Sequence, residues 1–260
     1  MTDVLFIVPR KNYDKDARKF KRMEASFPMG ILSLGSVLKK EGLNVGLLDT
    51  NALFMSLEET LAKIKELKPK VIGIVAFSEF IRGTVQLAET IRLGKIDSVI
   101  TVGGPHITAS PDFCENFSVF DIAIMGEAEL TYVKIVNEIM HGKTVRGMFK
   151  GDLIENLDTL PIPDRDIIDE ETRNIYYSGS YKGLEKVNIH TSRGCPSGCI
   201  FCCSFNKKVR YHSPERVVRE IELCVDKYGT RAVSFTDDNF TLKKDRVFEI
   251  CGLLKKRKIK

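Results

Sequence analysis

Cys195, Cys199 and Cys202, in the stretch TSRGCPSGCIFC, stand at CxxxCxxC spacing on a segment that reads as a loop just after a strand. Three thiolates presented within a few residues can wrap one corner of an iron-sulfur cube. Four-cysteine patterns fill every metal position, whereas three ligands leave one iron open to a small molecule. Gly194 and Gly198 permit the positive φ angles of a tight wrap, and Pro196 stiffens it. Phe201 puts an aromatic face beside the last of the three thiols. A zinc site, or a set of unpaired buried thiols, would use the same residues. Cys203 offers a fourth ligand for a zinc tetrahedron. Adjacent side chains point apart on an extended chain, so Cys203 reads as a bystander.

The elements that must position this loop fall in two halves. Short, nearly continuous apolar runs at residues 4–8, 45–48, 71–77, 99–102 and 122–125 suit strands buried on both faces of a parallel sheet. Helical spacing lies between them: Ile31, Leu34, Val37 and Leu38 form one apolar stripe, and Leu57, Leu61, Ile64 and Leu67 another. Gly42, after two lysines and a glutamate, reads as a helix stop. Five such units predict an α/β fold with an open, doubly wound sheet and a ligand at the carboxyl ends of its strands.

The stretch ENLDTLPIPDRDII, residues 155–168, breaks the periodicity, and its two prolines favour an extended surface segment. Residues 187–190 then read as a strand leading into the cysteine loop. Ser213 and Pro214 start a helix that ends at Gly229, residues 232–236 form the next strand, and residues 244–254 a further helix. The expected division is residues 1–150, a linker at 151–185, and 186–260.

Composition limits the functional classes. The formal net charge is +5, and Lys255, Lys256, Arg257, Lys258 and Lys260 alone contribute that much, so residues 1–254 carry none. A basic footprint across a domain is absent, and no nucleic-acid partner is expected. A second basic cluster, Arg10, Lys11, Lys15, Arg18, Lys19, Lys21 and Arg22, reads either as a solvated loop or as a clamp on phosphate or another acidic partner. The opening MTDVLFIVPR runs straight into a strand, with no cationic start and no cleavage site, and no apolar run is long enough to span a bilayer. A cytoplasmic, membrane-free protein is expected, and seven cysteines in such a chain argue for reduced thiols and metal ligation.

The cysteine stretch resembles the signature of the radical S-adenosylmethionine (SAM) superfamily, CxxxCx(aromatic)C, at every position. The resemblance implies that Cys195, Cys199 and Cys202 hold a 4Fe-4S cluster whose fourth iron is chelated by SAM. Reductive cleavage then yields methionine and a 5'-deoxyadenosyl radical, with the electron supplied by a flavodoxin- or ferredoxin-like donor. It also implies that residues 186–260 begin a partial (β/α) barrel. In that superfamily the end of the second strand lies beside the methionine end of SAM. Asp237 and Asp238 stand there in the sequence FTDDNF, in place of the common GGE. They are placed to accept from the SAM ammonium or, alternatively, to cap the next helix.

The order of parts in the first half resembles the Rossmann-like cobalamin-binding domain that precedes the cluster domain in many of these proteins. Those parts are PMGILSLGSVLKKEGLNVGLLD at 28–49, GGPH at 103–106, MGEAE at 125–129 and the LPIPDRD linker. The resemblance implies contacts to the cobalamin nucleotide tail from Ser78, Gly103 and Gly104, whose missing side chains let a ligand approach the backbone. His106 is assigned either to the tail or to the next turn, and Glu127 either to the cofactor or to a helix dipole. The DxHxxG motif of many cobalamin domains is missing, since no histidine precedes His106, so the cobalt would lack a protein imidazole.

The whole reading is a cobalamin-dependent radical SAM enzyme that carries out methyl transfer or other chemistry at an unreactive C–H bond, on an unidentified substrate. Alternatives are a non-catalytic carrier of cobalamin and cluster, a zinc-stabilised binding protein, and a first sheet that binds nothing or a nucleotide, though no GxGxxG opens its first helix. A methylthiotransferase is disfavoured, because Cys114 is the only cysteine before Cys195. Only two strand-helix units fit after residue 186 where the superfamily has about six, so the sequence is expected to be a fragment of a longer protein rather than a degenerate relative.

Overall fold

The computed structural model describes residues 2–13, 26–116, 118–178, 184–202, 204 and 206–259. Lys15, Arg18, Lys19, Lys21, Arg22 and Cys203 lie outside this set, as does the side chain of Cys114.

The first half is a six-stranded sheet in the order β2-β1-β3-β4-β5-β6. Its strands are β1 (Val4–Val8), β2 (Val45–Asp49), β3 (Val71–Val75), β4 (Val99–Gly103), β5 (Ile122–Met125) and β6 (Gly147–Lys150). Every pairing is parallel. Side chains of β1 alternate between two cores, because successive residues of a strand face opposite sides of the sheet. Val4, Phe6 and Val8 join one core with α1 (Met29–Lys40) and α5 (Glu129–Met140). Leu5 and Ile7 join the other with α2 (Leu57–Leu67) and α3 (Ile81–Leu93). This is the doubly wound arrangement, with the chain reversing direction from β1 to β3.

The expected elements recur with shifted ends. Strand β3 stops at Val75, two residues early, because the chain turns into a single 3-10 turn at Ser78–Phe80, and Phe77 is left partly exposed with its ring edge-on to Phe80. The edge strand β6 gave no apolar run, as three of its four residues are exposed. Helix α2 begins with a capping box between Ser56 and Glu59, and Gly42 lies just past α1 with φ +85°. A short helix, α4 (Pro105–Ala109), follows β4.

The proline-rich segment is neither extended throughout nor merely superficial: Asn156, Asp158 and Asp166 are exposed, but their neighbours reach inward. It buries Leu157, Leu160, Ile167 and Ile168 through two single 3-10 turns, and Ser36 Oγ of α1 accepts from the Asp164 amide at 2.6 Å. The fully buried Arg165 donates to Glu220 Oε1 and to the Asn188 carbonyl, both at 2.9 Å. Helix α6 (Glu170–Ser178), which has no clear apolar stripe in sequence, follows.

In the second half β7 (Lys186–Ile189) pairs in parallel with β10 (Ala232–Phe235), and α7 (Pro214–Tyr228) makes the crossover. Ser213 Oγ caps α7 by accepting from the Arg216 amide, and Gly229 ends it at φ +65°. Helix α8 (Lys244–Lys256) packs on α7. Between β7 and α7, β8 (Ser192–Arg193) and β9 (Arg210–Tyr211) form an antiparallel neck at the base of the cysteine loop. Val187, Ile189 and the inner face of α7 share one continuous core with α1 and α5. Among the described residues no helix is long and apolar enough to cross a membrane.

Candidate functional site

The carboxyl ends of β1, β3, β4 and β5 open into a cleft of about 750 Å3, within the size range of cofactor sites. Its floor is apolar. Gly73 in β3 leaves room there for the rings of Phe6 and Tyr132: a Cβ at this position would fall 2.7 Å from Phe6 Cδ1 and 3.0 Å from the Tyr132 hydroxyl. Tyr132 pairs with Thr101 Oγ1 at 2.9 Å, and burial pushes its phenol well above the usual range, so it stays protonated. At the end of β2, the Asp49 carboxyl is also raised by burial, and it accepts from Tyr176 of α6 at 2.5 Å.

The turn after β4 is tightly specified. Gly104 has φ +120°, and a Cβ there would lie 2.9 Å from the Ala76 carbonyl oxygen and 3.2 Å from its nitrogen. Neighbouring backbone at the β3 end, not only room for a ligand, therefore demands glycine. Gly103 and Gly104 both line the cleft. Ser78 and His106 do not; their side chains bond each other at 3.0 Å, joining the turns after β3 and β4, and His106 meets Phe113 edge-on. The basic cluster is divided. Arg10 is buried, its guanidinium 4.4 Å above the Phe54 ring and bonded to the Met55 carbonyl, which makes it part of the packing, whereas Lys11 is exposed.

The opposite wall of the cleft comes from the second half: Asn188, His190, Ser192, Arg193, Gly194, Thr236 and Asp238. Burial holds the His190 imidazole below its ordinary pKa, so it is neutral at pH 7. Asp238 faces the cleft and accepts from Ser204 Oγ at 3.2 Å. Asp237 instead turns back and accepts from the amide and hydroxyl of Thr191, at 3.0 and 2.8 Å, and from the Ser192 hydroxyl. It fastens the β7–β8 turn rather than capping the next helix, and its Oδ2 is buried with no partner among the described residues. Arg246 of α8 supports the same turn through the Thr191 carbonyl and hydroxyl.

The cysteine loop rises from the β8–β9 neck. Gly194 has φ +93°, and a Cβ would lie 2.5 Å from the Lys208 carbonyl oxygen and 2.8 Å from that of Asn206. The Cys195 amide donates to Asn206 O at 2.9 Å, and its thiol is buried. A turn closes between the Cys202 amide and Cys199 O at 3.0 Å, with both thiols exposed. All three are free of disulfides. Phe201 stands in solvent at 87% exposure instead of lying against a neighbour. Among the described residues no three metal-ligating groups are gathered at one point. The donor set still suits an iron-sulfur cluster: three soft thiols within eight residues, one fixed at a rigid neck and two on a turn.

Sequence reasoning missed the ionic contacts that join the two walls. Arg193 pairs with Glu129 at 2.5 Å and with Glu127 at 3.2 Å, and Arg210 takes both oxygens of Glu127. Burial works to raise the Glu129 carboxyl, but Arg193 and the Ser33 hydroxyl hold it below the usual range. Glu127 therefore lines the cleft as the partner of two arginines. The MGEAE stretch and the arginine before Gly194 were the available signals.

Comparison with known proteins finds two family matches along the chain. Residues 23–136 match the family model of the B12 binding domain, and residues 189–260 match that of the radical SAM superfamily. An uncharacterized methyltransferase of Pyrococcus horikoshii is 30% identical over 243 residues, 86% of this chain and 51% of the relative. The anaerobic magnesium-protoporphyrin IX monomethyl ester cyclase of Cereibacter sphaeroides is 26% identical over 86% of this chain and 39% of its own. The chain thus spans about half or less of the length of these relatives. In fold it is similar to the radical SAM methyltransferase TsrM of Kitasatospora setae, solved with tryptophan and a SAM analog, with a TM-score of 0.77, 16% identity, and coverage of 99% of this chain and 52% of that one. A B12-binding sheet followed by a radical SAM cysteine loop and parallel strands places this chain in the family of radical SAM proteins that carry a cobalamin-binding domain.

Proposed function

We propose that the protein is a cobalamin-dependent radical SAM enzyme acting on an unreactive carbon, by methyl transfer or by ring closure, the two reaction types named among its relatives. The observation that carries this reading is the shared cleft. The carboxyl ends of both parallel sheets face it, and the neck of the cysteine loop forms part of its wall. When bound, the cluster and SAM supply a radical and cobalamin supplies a group carrier.

The chain's own residues would bind and orient these groups. Cys195, Cys199 and Cys202 would hold the cluster, and Asp238, on the cleft wall, would accept from the SAM ammonium while Asp237 keeps the turn beside it in place. Gly103 and Gly104 would let cobalamin lie close to the backbone, and the apolar floor around Phe6 and Tyr132 would exclude water. The domain division at 1–150, 151–185 and 186–260 and a cytoplasmic setting with an external low-potential electron donor belong to the same reading.

Anaerobic reconstitution with iron and sulfide tests it. Near-stoichiometric 4Fe-4S and micromolar cobalamin binding are expected, together with a change in the electron paramagnetic resonance signal of the reduced cluster when SAM is added. Stoichiometric zinc with no sulfide would end the cluster reading, and an unchanged signal would end the SAM site.

A further inference from the structure

The base of the cysteine loop is gripped by charges that belong to the first sheet. Arg193, the last residue of β8, sends Nη2 to Glu129 Oε1 at 2.5 Å and to Ser33 Oγ at 3.3 Å, and Nη1 to Glu127 Oε2 at 3.2 Å. Arg210, opposite it in the β8–β9 ladder, holds Glu127 Oε2 at 2.8 Å and also bonds Oε1. Two arginines of the neck thus match two carboxylates of the β5–α5 connection. Exposure of the four side chains is 22% for Arg193, 4% for Arg210, 19% for Glu127 and 5% for Glu129. Groups so shielded are costly to leave unpaired, so the two walls resist separation at this point.

Placement gives the network its consequence. Arg193 directly precedes Gly194, whose backbone is wedged against the Asn206 and Lys208 carbonyls, and Gly194 precedes the buried Cys195. Movement of the Arg193 head therefore reaches Cys195 without a flexible joint between them. On the other side, Glu127 lies in the segment that forms the cleft edge after β5. That segment is itself pressed by Gly151, where a Cβ would fall 1.9 Å from the Glu127 carbonyl oxygen, and it is tied by the Gly126 amide to Thr108 Oγ1 at 2.9 Å. Whatever displaces the β5–α5 connection displaces the arginine that sets the buried cysteine.

We propose that Arg193 is a positioning residue that couples the cleft to the cysteine loop. Occupancy of the cleft beside Glu127 fixes the setting of Cys195, and loading of the loop tightens the cleft in return, since linkage between two sites is reciprocal. The coupling half of this proposal rests on the cobalamin and cluster assignments above; the positioning half does not.

A cofactor-free experiment on the full chain tests positioning: alkylation by N-ethylmaleimide, followed residue by residue by mass spectrometry. Cys195 is expected to react more slowly than Cys199, and Arg193→Gln to speed Cys195 by about fivefold or more, the effect of losing roughly 1 kcal/mol of local order. Arg193→Lys should fall between, and the charge-swapped pair Arg193→Glu with Glu129→Arg should slow Cys195 again. Cys224, sealed in α7, must stay protected throughout, which separates loosening of the neck from unfolding. A Cys195 rate unchanged by Arg193→Gln overturns the proposal. The second measurement is the dissociation constant of hydroxocobalamin with and without the reconstituted cluster. Tightening by about fivefold or more is expected in the parent chain and none in Arg193→Gln. An equal ratio in both overturns the coupling, whereas a parent chain that takes up neither cofactor overturns the functional reading and leaves the alkylation result to decide positioning.

Discussion

The floor of the cleft and the loop beside it are held in contrasting ways. The floor belongs to a sheet whose central strands are buried on both faces, with Val4 and Ile122 enclosed on one side and Ile7, Ile72 and Ile100 on the other. Its geometry is set by close packing and survives without any ligand. The cysteine loop has a rigid base and an open end: Gly194 and Cys195 are pinned at the neck, while Ile200 and Phe201 stand in solvent. Its outer turn has little apolar contact of its own, so its final arrangement depends on what the thiols bind. A preformed pocket thus faces a loop that is only half preformed.

Removal of a thiol breaks the comparison most sharply. Cys195→Ala, Cys199→Ala and Cys202→Ala should each abolish the cluster absorbance after reconstitution, while the urea midpoint of the apo chain changes by less than the equivalent of about 0.5 kcal/mol for the two exposed positions. Cys251→Ala, on the outer face of α8, should keep the full cluster. Retention of a full cluster by Cys199→Ala would refute the ligand assignment.

The two regions should also differ in what truncating an isoleucine to its Cβ costs. Ile72→Ala opens a cavity in a central strand and should destabilise the chain by about 2–5 kcal/mol. Ile200→Ala, at a residue that packs on nothing, should stay within about 0.5 kcal/mol of the parent. Similar urea-derived losses for both would show that the outer loop is packed in solution. Between these lies Gly194→Ala, which forces a Cβ into the Lys208 carbonyl at positive φ and should cost about 1–3 kcal/mol, confined to the neck. Cluster uptake should fall in that variant while cobalamin affinity holds. Equal loss of both would mean that the neck and the sheet unfold together.

The contrast also explains what was legible in sequence. The floor was readable because a strand buried on both faces writes itself as a continuous apolar run, as residues 71–75 do, and the cysteine loop stood out because its CxxxCxxC spacing is local. The neck was not, since strands of two residues carry no periodicity. Nor was the Arg193 network: Ser33 and Arg193 are 160 residues apart, and no local pattern announces a pairing at that separation. The two aspartates carried one shared expectation in sequence, because one residue of register decides that Asp238 faces the cleft and Asp237 the β7–β8 turn. The proline-rich segment misled for a related reason: its prolines exclude a helix but say nothing of burial, and Arg165 reads as a surface residue until Glu220 is seen beneath it.

The smallest expected effect concerns the seam between that segment and α7, where His212 is nearly buried and its Nδ1–H donates to Asp158 Oδ1 at 3.0 Å. Two influences oppose each other there. The carboxylate favours a charged imidazole, but burial, with the nearby Arg216 charge, outweighs it and holds His212 below its ordinary pKa. A base with a depressed folded pKa is neutral in both states well above about pH 6.5, so it costs nothing there. As pH falls through the unfolded value, the unfolded chain takes up a proton that the folded chain resists, and stability is lost until the folded value is passed. His190, depressed by burial, adds to the same slope. Asp158 acts later: burial raises its carboxyl, but bonds from Ser213 and His212 hold it low, so its contribution persists to below about pH 4. The urea midpoint should therefore decline from pH 7.5 to pH 5, and His212→Gln, which keeps a donor for Asp158, should flatten the decline without lowering stability much at pH 7.5. A midpoint that rises on acidification, or a slope indifferent to that substitution, would show that the imidazole is charged in the fold and that the carboxylate, not burial, governs the seam.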